Sequence, residues 1–177
     1  MQSGITVYTA IETQKAIKDS TGERTVAIQP LREYQIGSFT VTPFNVPHES
    51  EIECYGYLIK HEEMGKLLFL TDLEYCKYNF SGLQVEHVMC ECNYSMEFVD
   101  RNEPNYEHRL RGHMSLDTAL KFISTNDNPA LRNVVLIHLS DKSGNPTLFK
   151  QKVVETLKYD TEVYVAEKAV SYTHLTL

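Results

Sequence analysis

Three kinds of sequence feature are missing from this chain of 177 residues. No apolar stretch approaches the ~20 residues that a bilayer-spanning helix needs, and the first residues lack the charged-then-apolar order of a secretory signal. No internal repeat, low-complexity tract or domain linker interrupts the sequence. We therefore expect a cytoplasmic protein that has no membrane partner.

Positive charge is also in short supply. Lys and Arg together number 17 against 24 Asp and Glu, which gives a formal net charge of −7 and a pI near 5.5. Broad, sequence-independent binding to nucleic acid relies on Lys and Arg that neutralise phosphates, so this composition disfavours it. A local basic patch stays open as an alternative.

The cysteines lack the spacing of two common roles. There is no C-x-x-C pair of the kind that holds a structural zinc ion, and a C-x-C pair has poor geometry for an intramolecular disulfide. We expect reduced thiols with structural roles at all four positions, which are Cys54, Cys76, Cys90 and Cys92.

Apolar patterning predicts a mixed α/β chain. Strands are expected at 4–8, 24–29, 34–43, 55–60, 66–70, 85–90, 131–139 and 162–166. The continuous apolar run at 131–139 is typical of a strand buried on both faces. Helices are expected after Thr9, which has Glu12 three positions on as in a capping box, after the N-cap Ser115, and at 146–157. The stretch 94–106 is expected to be a loop or broken helix.

Length and composition fit a single domain. The hydrophobic fraction of 42% and the charged fraction of 23% are ordinary for a globular protein. We place this domain at residues 1–170. The last residues, 171–177, show no core-facing pattern, and we interpret them as a non-native or disordered tail.

In four places an apolar or strand-like run leads to a polar residue. The segments are Val46-Pro47-His48-Glu49, Leu67-Leu68-Phe69-Leu70-Thr71-Asp72, Arg111-Gly112-His113-Met114-Ser115 and Val134-Val135-Leu136-Ile137-His138-Leu139-Ser140. Strands that stop at a His or Asp build a polar site at the rim of a sheet, where open α/β folds place their ligands. This pattern suggests metal chemistry at that rim.

Together with Cys90-Glu91-Cys92-Asn93, these segments resemble the C-terminal half of the metallo-β-lactamase fold in its phosphodiesterase and nuclease branch. They are similar in order to the H…GY-x-I, TD or GD, E-A-N or E-A-T, G-H-x-S and x-H-L-S segments of tRNase Z and the YycJ-like exonucleases. The resemblance runs from about residue 4 to residue 170. It implies an αββα sandwich whose mixed, mostly antiparallel sheet has flanking helices, and it implies a metal-dependent hydrolase.

The resemblance also implies a metal centre and a reaction. His48, Asp72 and His138 would be metal ligands, with Asp72 bridging two divalent ions, most simply zinc and otherwise manganese. Asp72 and His113 would be the catalytic residues, with His113 giving a proton to the leaving oxygen of a phosphodiester. Paired ions would activate the attacking water.

Two further residues and the substrate follow from the same resemblance. Glu91 and Asn93 would orient a metal ligand or contact the substrate. That substrate would be nucleic acid or a nucleotide, and the sequence does not separate DNA, RNA and cyclic nucleotides. The Gly112-His113-Met114-Ser115 segment favours a phosphodiester over other esters.

The family signature H-x-H-x-D-H, which supplies most of the metal ligands, occurs nowhere in this sequence. We therefore expect the N-terminal half of the fold to be missing and Met1 to be an internal methionine or a late start. Metal affinity and hydrolysis should then be weak in the isolated chain. Apolar sheet surface should lack its cover, which favours association, for example as a homodimer.

Other interpretations of the same residues stay open. His48 in a loop could be an ordinary exposed histidine, Asp72 could cap a turn, and His138 could be a hydrogen-bonded core side chain. The whole chain is alternatively a non-catalytic binding or assembly module, or a hydrolase of a thioester or lactam on the same fold. The retention of His48, Asp72, His113 and His138 together favours the phosphodiesterase.

Overall fold

A computed structural model describes residues 4–21, 24–49 and 53–166. Its strands are β1 (Val7–Thr9), β2 (Thr25–Ala27), β3 (Tyr34–Ile36), β4 (Phe39–Val46), β5 (Cys54–His61), β6 (Gly65–Leu70), β7 (His87–Glu91), β8 (Asn133–Ile137) and β9 (Glu162–Val165). Its helices are α1 (Ile11–Thr21), α2 (Tyr106–Gly112), α3 (Leu116–Asn126) and α4 (Pro146–Thr156). The predicted tail at 171–177 lies outside the described residues.

The first strands form a small parallel pair. Strand β1 pairs with β2 in the register Val7–Thr25 to Thr9–Ala27, and α1 connects the two strands. The prediction that Thr9 caps the first helix is wrong, because pairing with β2 keeps Thr9 extended and the helix begins at Ile11.

The large sheet contains the other seven strands in the order β3-β4-β5-β6-β7-β8-β9. Neighbours from β3 to β6 are antiparallel, and those from β6 to β9 are parallel. The register contains slightly more antiparallel than parallel residue pairs. The predicted hairpin at 61–65 joins β5 to β6, and Gly65 has a φ of +81°, which suits a glycine. The predicted α/β class with a mixed sheet and flanking helices is confirmed.

One face of the large sheet carries the hydrophobic core. Alternate strand residues such as Leu68, Val88, Val134 and Leu136 are almost completely buried. They form one cluster with the apolar side chains of α3 and α4, including the fully buried Phe149. The periodicity that predicted both helices arises from this contact.

The opposite face is also apolar but is only partly covered. One row of the register crosses five strands, and each side chain in it is half-buried or exposed: Tyr57, Phe69, Met89, Val135 and Tyr164. The prediction that the 131–139 strand is buried on both faces is therefore wrong for the described structure. Its alternate residue Val135 lacks the helix layer that covers Val134.

Two of the cysteines belong to this core. Cys90 and Cys92 are both fully buried beside the core leucines. Burial raises the pKa of Cys90 to about 12, and burial likewise raises the pKa of Cys92. Both groups are therefore protonated thiols at neutral pH, which agrees with the structural role predicted for them.

Among the described residues, no helix is long and apolar enough to cross a bilayer.

Gly56 is expected to be required for core packing at β5. A Cβ at this position would lie 2.5 Å from Cε2 of Phe44, whose ring is buried. Because that ring cannot move freely, Gly56→Ala should lower the free energy of unfolding by about 1–3 kcal/mol. Gly82→Ala is the matched control, since its Cβ would meet nothing within 4 Å. Equal urea denaturation midpoints for the two variants would contradict this packing account.

Candidate metal centre

The topology gathers polar side chains at one rim of the large sheet. Strands β6, β7 and β8 run in parallel, so their carboxyl ends meet at the same edge. Asp72 follows β6, Glu91 ends β7 and His138 follows β8 directly. His113 lies between α2 and α3 and reaches the same place, with its ring centroid 5.0 Å from that of His138.

These four residues form the rim cluster: Asp72, Glu91, His113 and His138. Each offers a ligand atom, and the four atoms lie within 4.8 Å of one another. Nδ1 of His138 is 3.4 Å from Oδ1 of Asp72 and 3.4 Å from Oε1 of Glu91. Nδ1 of His113 is 2.7 Å from the same Glu91 oxygen. The structure therefore brings together four of the predicted site residues.

Two residues of the rim cluster have unusual backbone conformations. Asp72 has a φ of 52° and His138 has a φ of 58°, both in the left-handed region. Such a conformation costs a non-glycine residue about 1–3 kcal/mol unless its surroundings fix it. At these two residues the chain turns sharply after its strand, and each turn directs a polar side chain across the rim.

Side chains at the end of β7 hold both turns in place. Oε2 of the buried Glu91 accepts a hydrogen bond from the backbone N–H of Leu73, directly after Asp72. On the other side, the amide Nδ2 of Asn93 donates to the carbonyl oxygen of His138 at 2.7 Å. Glu91 and Asn93 thus brace the two neighbouring strand ends.

Glu91 also affects the protonation of His113. The hydrogen bond from Nδ1 of His113 to Glu91 raises the pKa of this histidine, and the negative charges of Glu91 and Asp72 add to the effect. Burial and the nearby Arg109 act in the opposite direction. The side chain of His113 is only 16% exposed, so solvent screens these interactions weakly.

In metal-free protein, His113 is expected to titrate above the ordinary histidine pKa of about 6.5. Because its pKa is raised on folding, its contribution to stability is complete below the unfolded-state pKa and is lost as pH rises through the folded-state pKa. An NMR titration of the imidazole signals measures this pKa directly. Glu91→Gln should lower it, and an unchanged pKa in that variant would contradict the assigned cause.

His48 stands apart from the rim cluster. Its ring centroid is 5.9 Å from that of His113, and it is not one of the four converging groups. Its Nδ1 atom is buried and has no hydrogen-bond partner within the described ranges. Gly112 permits this placement, because a Cβ there would lie 3.1 Å from Cε1 of His48.

A polar network that no sequence pattern indicates connects the segments carrying His113 and His138. Arg109, one helical turn before His113, donates to Oγ of Ser143 at 2.6 Å and to Glu103 at 2.7 Å. Lys142 binds the other oxygen of Glu103, and both basic groups lower the pKa of Glu103. The network depends on contacts between residues that are more than 30 positions apart in the sequence, and the periodicity and spacing of a sequence do not reveal such contacts.

The donor set of the rim fits a divalent cation. Two imidazoles and two carboxylates supply the nitrogen and oxygen ligands that zinc accepts, and manganese also accepts carboxylates. The orphaned Nδ1 of His48 is a further nitrogen that lacks a partner among the described residues. These donors are enough for one four-coordinate ion. Two complete coordination shells would need ligands from outside the described residues.

A cavity adjoins the rim next to His138. Its volume is 760 Å³, and it extends between the β8–α4 connection, the start of α4 and the end of β9. The polar side chains that line it include Ser140, Thr147 and Lys150, and Tyr164 contributes an aromatic wall. His138 is the residue that the lining of this cavity shares with the rim cluster.

Comparisons by sequence identify no relative, because no family model and no curated protein matches this chain. Many solved structures are similar to this chain in three dimensions, and three of them illustrate the match. The metallo-β-lactamase fold protein YhfI from Bacillus subtilis is 18% identical with a TM-score of 0.66, and the match covers 90% of this chain and 61% of YhfI. Igni18, a metallo hydrolase from the archaeon Ignicoccus hospitalis, is 14% identical with a TM-score of 0.67. The match covers 94% of this chain and 67% of Igni18.

The third similar structure is unliganded yeast PDE1, which is 15% identical with a TM-score of 0.62. The match covers 92% of this chain and 58% of PDE1, so the chain spans roughly three-fifths of YhfI and PDE1. Nearly the whole chain is therefore superimposable on part of each of these larger proteins. This polypeptide has the metallo-β-lactamase fold.

Proposed function

We propose that this chain contributes to the active centre of a metal-dependent hydrolase that cleaves phosphodiesters, in the manner of tRNase Z and the YycJ-like exonucleases. The observation that carries the proposal is the convergence of Asp72, Glu91, His113 and His138 at the carboxyl ends of parallel strands. Support comes from the shared fold with Igni18, which is a metallo hydrolase. A purely structural rim would gain nothing from two left-handed residues that carry ligand side chains.

In this proposal His48, Asp72 and His138 would hold divalent ions, zinc first and manganese second. When bound, such ions lower the pKa of a coordinated water and stabilise negative charge on phosphoryl oxygens. Asp72 and His138 leave substantial side-chain surface open to solvent, at 50% and 41% exposed, so the site is accessible. Any further ligands for a second ion would come from outside the described residues.

His113 is the proposed proton donor to the leaving oxygen. Its Nδ1 is engaged by Glu91, which leaves Nε2 to face a substrate. The buried carboxylate of Glu91 stabilises the imidazolium form and fixes the ring, as the aspartate of a catalytic triad does for its histidine. The raised pKa of His113 keeps more of this group protonated near neutral pH.

The cavity beside His138 is the proposed substrate site. A phosphodiester places negative charge next to the metal centre, and Lys150 in the cavity wall provides a positive side chain in an otherwise acidic protein. The Tyr164 ring provides a surface on which a nucleobase could stack. A nucleotide or the end of a nucleic acid chain has both of these chemical features.

A substrate panel tests this assignment. The native polypeptide that contains this sequence is incubated with zinc or manganese and with a dinucleotide, a cyclic nucleotide, a thioester and a β-lactam. We expect turnover of a phosphodiester and lower efficiency with the other two classes. Efficient turnover of the thioester or lactam alone would support a hydrolase but contradict the assignment of a phosphodiester substrate.

A second candidate function is an assembly module, and one observation favours it. The row Tyr57, Phe69, Met89, Val135 and Tyr164 forms an apolar face that the described residues cover only in part. Such surface commonly serves association, including formation of a homodimer. Light scattering combined with the hydrolysis assay separates the two, since an assembly module would associate without turning over any substrate.

A further inference from the structure

The rim cluster has the geometry of a coordination shell that this chain could complete alone. In a tetrahedral site with metal–ligand bonds of about 2.0–2.1 Å, the ligand atoms are about 3.3 Å apart. Nδ1 of His138 lies 3.4 Å from Oδ1 of Asp72 and 3.4 Å from Oε1 of Glu91. The 2.7 Å distance from His113 to Glu91 would need to lengthen by only about half an ångström to reach that spacing.

The surroundings of Glu91 give a second reason. This carboxylate has 0% side-chain exposure, and a buried charge is costly unless a partner of opposite charge or hydrogen bonds compensate it. Its Oε2 accepts a hydrogen bond from the N–H of Leu73, and its Oε1 is the oxygen that faces the histidines of the rim. Two imidazole nitrogens, from His113 and His138, both approach that one oxygen. A cation among these three atoms would compensate the buried carboxylate.

The solvent access of the rim cluster and the chemistry of its donor atoms also favour a bound cation. Asp72 and His138 are about half open to solvent, whereas Glu91 and His113 form the buried floor, so an ion can enter from one side. Two nitrogen and two oxygen donors in a four-coordinate arrangement suit zinc. His48 is outside the group of four, with its ring centroid 5.9 Å from that of His113.

We infer that this chain by itself binds one divalent ion, zinc by preference, through Asp72, Glu91, His113 and His138, and that His48 is not a ligand of that ion. Glu91 and His113 are then ligands of this ion, and coordination replaces the hydrogen bond between them on which the proton-donor role of the proposed function depends. The inference concerns binding and does not depend on whether the chain hydrolyses anything.

The test combines calorimetry and NMR on the full 177-residue chain with Zn²⁺ as the probe. Long-range ¹H–¹⁵N spectra detect ring nitrogens through carbon-bound protons. One equivalent of Zn²⁺ should shift Nδ1 of His113 and of His138 to metal-bound values and leave His48 unchanged. Calorimetry should give one site, and Glu91→Gln or His113→Ala should weaken it by about tenfold or more. His61→Ala is the matched control and should leave the affinity unchanged, because His61 pairs with Gly65 at the end of β6 opposite the rim.

Each alternative result overturns the inference. Zinc-dependent shifts at His48 and His138 but not at His113 would instead support the ligand set of the proposed function. The absence of saturable zinc binding would show that the chain alone does not form a complete zinc site. The proposed hydrolytic function would still be tested separately, by the substrate panel on the native polypeptide. Circular dichroism of each variant confirms that a lost site does not reflect a lost fold.

Discussion

His113→Ala is expected to slow phosphodiester hydrolysis by about two to four orders of magnitude, the usual contribution of a positioned general acid. In the proposed reaction, this side chain protonates the leaving oxygen through Nε2 while Glu91 holds Nδ1 at 2.7 Å. An alkoxide or ribose oxygen leaves slowly without that proton. The measurement is kcat for a dinucleotide at saturating zinc, which separates catalysis from any change in metal affinity.

A substrate with an activated leaving group provides the control for this variant. Bis(p-nitrophenyl) phosphate expels a weakly basic phenolate that needs little protonation, so its hydrolysis should lose far less activity in the same variant. If both substrates lost activity equally, His113 would not be the acid, and its effect would come from the structure of the rim or from metal binding.

Phe149→Ala is expected to remove about 3–5 kcal/mol from the free energy of unfolding, which is a large part of the roughly 5–15 kcal/mol of a typical domain. Phe149 is fully buried in α4 and belongs to the cluster that joins α3, α4 and the sheet. Truncation to alanine leaves a cavity that rigid strands cannot fill. Urea denaturation gives the value directly.

Val154 in the same helix supplies the matched control. Its side chain is 52% exposed, so Val154→Ala should change the free energy of unfolding by no more than about 0.5 kcal/mol. Similar losses for the two variants would mean that α4 does not pack on the sheet as described. Because α4 also borders the proposed substrate cavity, Phe149→Ala should be assayed below its melting temperature.

Local sequence signals predicted most of the regular elements. Ser115 is the N-cap of α3 and its hydroxyl accepts a hydrogen bond from the N–H of Thr118, as the capping pattern indicated. The Gly37 turn between β3 and β4 and the Gly65 hairpin also follow the sequence, because both glycines adopt positive φ. Each of these features depends on neighbours only a few residues away.

Features that depend on distant contacts were harder to predict. Helix α2 follows a polar stretch without clear periodicity, and its end is fixed through Arg109 by Ser143 of another loop. The exposed side of β8 was misjudged because an apolar run cannot show whether a second layer covers it. Thr9 fits a capping box in sequence, yet pairing with β2 holds it in a strand.

The candidate site was likewise predicted only in part from the sequence. The resemblance selected His48, Asp72, His113 and His138, and the structure places the last three together but leaves His48 outside the group. It implied that Glu91 orients a metal ligand or contacts the substrate, whereas the structure puts this carboxylate within reach of both His113 and His138 in the rim cluster. One sequence signal could have indicated this, because an acidic residue between the core cysteines Cys90 and Cys92 must find a cationic partner.

The proposed function makes the rim of the large sheet a metal-dependent hydrolytic centre. The most direct test is the hydrolysis of a dinucleotide by the native polypeptide before chelation, after chelation and after the return of Zn²⁺, with Asp72→Asn in parallel. We expect activity to disappear on chelation, to return with zinc, and to be at least about a hundredfold lower in Asp72→Asn. Hydrolysis that survives both chelation and Asp72→Asn would contradict the claim.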